Sequence, residues 1–342
     1  MNRTIRSTAP FACFGLGLFA ALLGSSIRGS AADCEDAAVD PAFSIPATAI
    51  DLTPQLARWQ RDGLYDAALI DADLAKWDGA LSEMRILVVR GFLTDMLEPL
   101  ERVGLSDYLK AQARAFDGRA AAVELLEFDS ESSASYNARL IAQAVARSPE
   151  RVCILSHSKG GVDTLEFLLR SDPALVDRIA CWVSFQAPFH GAPLADKVAE
   201  YGALLLLSVS LLEMMGGSEE TMDAMLHRVR DCYMREADSR IADIARRVPI
   251  VSVTSRIATD AKLRDHLTPA LPALIWMRWQ GIESDGLVPM ASAILPHAGF
   301  VLLENVDHTG AVALGGLPED QRILLTRALV LLALERPIGT VH

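Results

Sequence analysis

Three residue types that can act together on a carbonyl stand far apart in this sequence: Ser158, Asp285 and His308. A serine hydroxyl is a poor nucleophile until a base takes its proton and a carboxylate orients that base. Ser158 lies in Ser156-His157-Ser158-Lys159-Gly160-Gly161, after the apolar run Arg151–Leu155 and before a helical stretch. A nucleophile in a strand–turn–helix of this kind sits at the top of a sheet on a strained backbone. Small residues are needed two before and two after it, because strand and helix backbones approach closely there. Ser156 and Gly160 meet that need, although serine replaces the usual first glycine. A chance Ser-x-Ser-x-Gly loop is the competing reading.

Acid and base should follow such a nucleophile in that order. Asp285 falls in a turn just beyond an expected strand, and His308 in the loop after the last one. Both positions are strand C-terminal ends, where a parallel sheet gathers its functional groups. Glu283 and Asp307 are rival acids; Asp307 adjoins the histidine in sequence, which turns its carboxylate away from that ring. The other histidines are His157, His190, His227, His266, His297 and His342. Within the fold only His297 and His308 follow Asp285, and His297 precedes the last strand. A tetrahedral intermediate also needs two backbone N–H donors. One is expected from Lys159, the residue after the nucleophile. The other is expected from Phe92 in Val89-Arg90-Gly91-Phe92-Leu93, with Leu93 as second choice. Gly91 would allow the sharp turn this requires, although an ordinary turn glycine reads the same way. The Lys159 side chain is expected to face solvent and is given no chemistry.

These residues need a scaffold. Arg85–Val89, Ala121–Phe128, Arg151–Leu155, Ile179–Phe185, Pro249–Thr254, Ile275–Gln280 and Phe300–Glu304 read as short strands. Met96–Phe116, Tyr136–Arg147, Gly161–Arg170 and Pro318–Leu334 read as helices. Continuously apolar strands alternating with helices predict an α/β fold, a mostly parallel sheet flanked by helices. Residues 35–84 show helical stretches at Gln55–Asp62 and Ala67–Glu83 and no strand signal. Between Phe185 and Pro249 the alternation stops. Ala203–Met215 is apolar almost all round, and Ser218 then caps a helix with Glu219 and Glu220 in its first turn. Met222, Met225, Leu226, Val229 and Tyr233 form one stripe on that helix. A helical insertion of this composition must cover something apolar.

At the N-terminus, Met1–Arg6 carries two arginines, Ala9–Gly24 is uncharged, and small residues follow up to Ala32. That is the three-part pattern of a signal peptide cleaved near Ala31 or Ala32. An uncleaved anchor is the competing reading, but the apolar run is shorter than the roughly 20 residues a span needs. The expected organisation is a signal peptide at 1–31, an N-terminal helical extension at 32–84 and a catalytic domain at 85–342. Export to the periplasm or beyond the cell follows. The 342-residue chain has 32 Lys and Arg against 44 Asp and Glu, for a net charge of −12. Without a basic cluster this excludes nucleic acid as a natural partner. No CxxC or Cys/His spacing indicates a metal site, and no cofactor is called for. Cys153 and Cys181, inside strand-like runs, are expected as buried thiols; an oxidising compartment would permit a Cys34–Cys232 bridge.

The sequence resembles bacterial secreted lipases and esterases of the α/β-hydrolase superfamily. The resemblance rests on SHSKGG at 156–161, APFHGAPLAD at 187–196, SDGLVP at 284–289 and DHTG at 307–310, in the family's order. It covers about residues 85–335; Arg90-Gly91 and Ser156 depart from the common His-Gly and glycine. The resemblance implies an α/β-hydrolase fold, ester hydrolysis through an acyl-enzyme, and a helical lid at about 195–247 that could touch a lipid interface. The expected substrate is a small-molecule or lipid ester with an apolar acyl group. Acyl transfer or polyester depolymerisation on the same three residues is the alternative, and a non-catalytic binding protein on this fold is a third reading.

Overall fold

In each strand near the centre of the molecule, alternate apolar side chains enter two different cores, as a sheet covered on both faces requires. A computed structural model describes residues 43–91, 107–126, 132–147, 149–201, 224–258, 271–313 and 316–336. Its strands are β1 (Ile50–Asp51), β2 (Gln60–Arg61), β3 (Leu64–Tyr65), β4 (Met84–Val89), β5 (Ala122–Leu126), β6 (Arg151–His157), β7 (Ile179–Phe185), β8 (Ile250–Arg256) and β9 (Gly299–Glu304). Seven of them form one parallel sheet in the order β1-β9-β8-β7-β6-β4-β5, while β2 and β3 pair as a separate antiparallel hairpin.

Ile86 and Val88 of β4 pack on one face, Leu87 and Val89 on the other. The first face is covered by α1 (Ala67–Leu74), α2 (Lys110–Arg114) and α8 (Glu319–Leu334), with Leu74, Phe116, Leu325 and Leu329 in its core. The second carries α3 (Ala134–Arg147), α4 (Lys159–Arg170) and α6 (His227–Arg247), through Ile141, Leu165, Leu168, Met234 and Ile241. Two more helices, α5 (Pro193–Tyr201) and α7 (Leu271–Trp279), form a smaller apolar contact in which Leu194, Leu226, Ala273 and Met277 are buried together.

The α/β reading of the sequence holds, and several local expectations do not. Ile275–Gln280, read as a strand, lies almost wholly within α7. Its run of apolar residues faces two ways at helical spacing: Ala273, Leu274 and Met277 inward, Ile275 and Trp279 outward. The stretch before Arg85 supplies β1, which adds itself beside β9, and the hairpin of β2 and β3. A two-residue strand with both side chains exposed has no periodicity to betray it. Cys153 and Cys181 are not free thiols but form a disulfide. Parallel pairing of β6 with β7 sets them opposite each other, with Cα atoms 4.5 Å apart. Cys232 is also disulfide-bonded; the pairing expected for it falls on Cys34, outside the described residues. Of the stretch expected to form a lid, residues 202–223 lie outside the description, including Ala203–Met215, Ser218 and Met222. Its latter part, α6, buries Met234, Ala237, Ile241 and Ile244 in the core beneath the sheet.

Candidate active site

Ser158 is the first residue past β6, and the chain turns there straight into α4. Its φ of 52° and ψ of −128° lie where non-glycine residues seldom go. The turn closes because neighbouring backbones can come near. A Cβ on Gly160 would lie 2.4 Å from the Arg90 carbonyl oxygen, and one on Gly91 2.7 Å from that of His157. Ser156, in the place of the usual glycine, is accommodated because its hydroxyl accepts the indole N–H of Trp182 at 2.8 Å.

The three residues expected from the sequence come together. His308 Nε2 is 3.0 Å from Ser158 Oγ, and His308 Nδ1 is 2.8 Å from Asp285 Oδ2. All three are buried, Ser158 being 8 % exposed. Asp285 Oδ1 accepts the backbone N–H groups of Leu287 and Val288 at 2.9 and 2.8 Å. With the acid ionised, Nδ1 carries the imidazole proton and Nε2 is left to accept from the serine hydroxyl. The His308 backbone is held as well, its N–H donating to the Asp285 carbonyl at 3.1 Å.

The rival groups are engaged elsewhere. Glu283 pairs with Arg256 at 2.7 Å, and Asp307 accepts the N–H of Thr309 at 3.1 Å within its own turn. His297 faces Asp238 at 2.9 Å and His190 faces Asp231 at 3.4 Å. His266 and His342 lie outside the described residues, as does Phe92, the expected second oxyanion donor, together with Leu93. Lys159 follows Ser158 as expected, at the N-terminus of α4.

Its side chain overturns an expectation. Lys159 is fully buried, with Nζ 2.9 and 3.0 Å from the oxygens of Asp163 and donating to the Ser132 carbonyl at 2.8 Å. The partner lies four residues on, one helical turn away, so both charges enter the core together. Burial pushes the Asp163 carboxyl up to about 6, against the attraction of Lys159. Asn137 of α3 donates to the same carboxylate at 2.9 Å.

Two further buried residues had no motif to announce them. Gln186, just past β7, donates from its amide to Asp285 Oδ2 at 3.2 Å and to the Asp307 carbonyl at 2.9 Å. Tyr108 contacts both Gly91 and His157. Among the described residues no group of three or more His, Cys, Asp or Glu is arranged to hold a metal ion.

Residues 81–228 match the family model of lecithin:cholesterol acyltransferase. No curated protein sequence matches the chain. Among solved structures, a metagenomic carboxyl esterase is similar at 23% identity and a TM-score of 0.56, covering 74% of this chain and 76% of that one. A mature lipase from Bacillus licheniformis is similar at 16% identity and a TM-score of 0.49, covering 66% and 84% of the two chains. EstA from Clostridium botulinum is similar at 15% identity and a TM-score of 0.46, covering 72% and 87%.

Proposed function

Given that the chain has the α/β-hydrolase fold, we propose that it is a serine hydrolase of carboxylic esters. The observation that carries this reading is the continuous hydrogen-bonded chain from Ser158 through His308 to Asp285. Ser158 Oγ attacks the ester carbonyl while His308 Nε2 takes its proton. Asp285 orients the ring and stabilises the imidazolium that forms. The tetrahedral oxyanion is met by the backbone N–H of Lys159 and that of Phe92. On collapse His308 returns the proton to the leaving alkoxide, leaving an acyl-serine that water cleaves by the same steps.

The ester is proposed to carry an apolar acyl group, with lipids the main class. The composition of Ala203–Met215 and the family-model match over residues 81–228 support this. The same match supports a second reading, acyl transfer, in which an alcohol takes the place of water. Residues 1–31 are proposed as an export signal; the Cys153–Cys181 disulfide suits an oxidising compartment.

A fluorophosphonate should label the wild-type protein and leave Ser158→Ala and His308→Ala unmarked. Labelling that persists in Ser158→Ala would exclude this nucleophile. Hydrolysis of an emulsified ester should far exceed that of the same ester dissolved as monomers, and equal rates would leave a soluble esterase. Product analysis with an added alcohol separates hydrolysis from transfer.

A further inference from the structure

Beside the Ser158–His308–Asp285 chain runs another that the proposed chemistry does not use. Gly91 N–H donates to Tyr108 Oη at 2.9 Å. Tyr108 Oη lies 2.7 Å from His157 Nδ1, and His157 Nε2 lies 2.8 Å from the carbonyl oxygen of His308. Tyr108 and His157 are fully buried.

This chain can run in one direction only. A backbone amide can only donate at one end and a backbone carbonyl can only accept at the other. Tyr108 Oη therefore accepts from Gly91 and spends its single hydrogen on His157 Nδ1. The imidazole then carries its proton on Nε2 and donates it to His308. Burial and the neighbouring His308 hold the His157 pKa well below its ordinary value, which keeps the ring neutral.

Three elements of the site are joined in this way. Gly91 follows β4, His157 ends β6 next to the nucleophile, and His308 follows β9. Gly91 is already pressed on Ser158, since a Cβ there would lie 2.9 Å from Ser158 Cβ. The sequence places the second oxyanion donor in the residue after Gly91. The carbonyl that His157 holds belongs to the residue whose ring must reach Ser158 Oγ. A shift of either end would change the distances on which proton transfer and oxyanion binding depend.

We infer that Tyr108 and His157 are positioning residues: their hydrogen-bond chain fixes the Gly91 backbone and the His308 backbone relative to Ser158. The inference rests on the serine-hydrolase reading and goes beyond it, because neither side chain touches the reacting atoms.

The test uses the full chain, with Tyr108→Phe, His157→Gln and His157→Leu beside the wild type. Each protein is titrated with a fluorophosphonate, so that rates on a soluble p-nitrophenyl ester are expressed per reactive serine. Tyr108→Phe should lose about ten- to a hundredfold in kcat while KM stays within about threefold. In His157→Gln the side-chain amide can still donate to the His308 carbonyl, so its kcat should exceed that of His157→Leu by about tenfold. A role confined to packing would lower the thermal midpoint and the titratable fraction, with kcat per reactive serine unmoved. The inference is overturned if Tyr108→Phe keeps kcat within about twofold of wild type. Should that variant fail to fold, equal kcat values for His157→Gln and His157→Leu overturn it instead. A wild-type protein that neither reacts with the fluorophosphonate nor cleaves the ester brings down the hydrolase reading itself.

Discussion

Ser158 and Gln186 occupy equivalent places on neighbouring strands. Each is the first residue past its strand, β6 or β7, and each has a left-handed φ, 52° and 50°, without being glycine. Each gives its backbone N–H to the next strand over: Ser158 to the Phe185 carbonyl at 2.8 Å, Gln186 to that of Val253 at 2.7 Å. Beyond this they part. Ser158 turns into a helix and offers its hydroxyl to His308. Gln186 turns into a loop, and its amide reaches back to the carboxylate that orients His308. A left-handed non-glycine residue costs about 1–2 kcal/mol. The chain accepts that cost twice, side by side, once at the proposed nucleophile and once at the residue that bonds the proposed acid. The backbone event is the same, and the side chain decides its use.

Emptying the two positions should break the likeness unequally. Ser158→Ala should cut kcat by about 10⁴-fold or more, measured on a soluble ester with correct folding checked by circular dichroism. Gln186→Asn keeps a residue that tolerates left-handed backbone but shortens the reach to Asp285. Its kcat should fall about tenfold with little change in thermal midpoint, and a wild-type kcat would release Gln186 from any part in holding the acid.

The two turns also touch, which gives a smaller effect. A Cβ on Gly161 of α4 would lie 2.4 Å from Ala187 Cβ and 2.5 Å from Ser184 Oγ. Gly161→Ala should therefore cost about 1–3 kcal/mol of stability, read from denaturant midpoints. Unchanged midpoints would mean that the turns can separate freely.

A further effect, spread over a range of pH, separates a charged support from a neutral one. The helix after Ser158 is fastened by the Lys159–Asp163 pair, whereas Gln186 works through an uncharged amide. Burial holds the Asp163 carboxyl at about 6 in the folded protein, above the ordinary unfolded value of about 3.9. The native state thus takes up this proton first as pH falls. The cost of the buried carboxylate is full above about 6 and is relieved toward about 4. Wild type should gain thermal stability over Asp163→Asn as pH drops through that window. Parallel melting curves would show that the ionised carboxylate carries no such cost.

Much of this site could be read from the sequence because its signals are local. The apolar run before Ser158, the small residues around it and the order of Asp285 and His308 each occupy a few consecutive positions. Strands β4 to β9 could be read for the same reason, being short apolar runs bounded by turns. What stayed hidden depends on contacts between distant segments. Gln186 meets Asp285 and Asp307 only after three strands are in register, and no motif marks it. Cys153 meets Cys181 because β6 and β7 are neighbours, while spacing alone left them as thiols. Lys159 is the exception: its partner Asp163 is one turn along the same helix, a pairing carried by local spacing. Ile275–Gln280 misled because a short apolar run fits a buried strand or an amphipathic helix equally well.

β1 has only two residues, yet it joins two distant segments of the chain. Ile50 pairs with Gly299, and Leu52 and Thr53 add bonds to Phe300 and Leu302, so residues 50–53 lie against the strand that leads to His308. That neighbour occupies a rim of β9 whose bare amides and carbonyls could otherwise recruit a foreign strand. It also imposes a timetable. β4 and β6 are close in the chain and can pair early in folding. β1 must wait for β9, the most distant partner available to it, and contacts of such separation form slowly. Completion of the candidate site is therefore expected late in folding, once the segments that carry Ile50 and Gly299 have met.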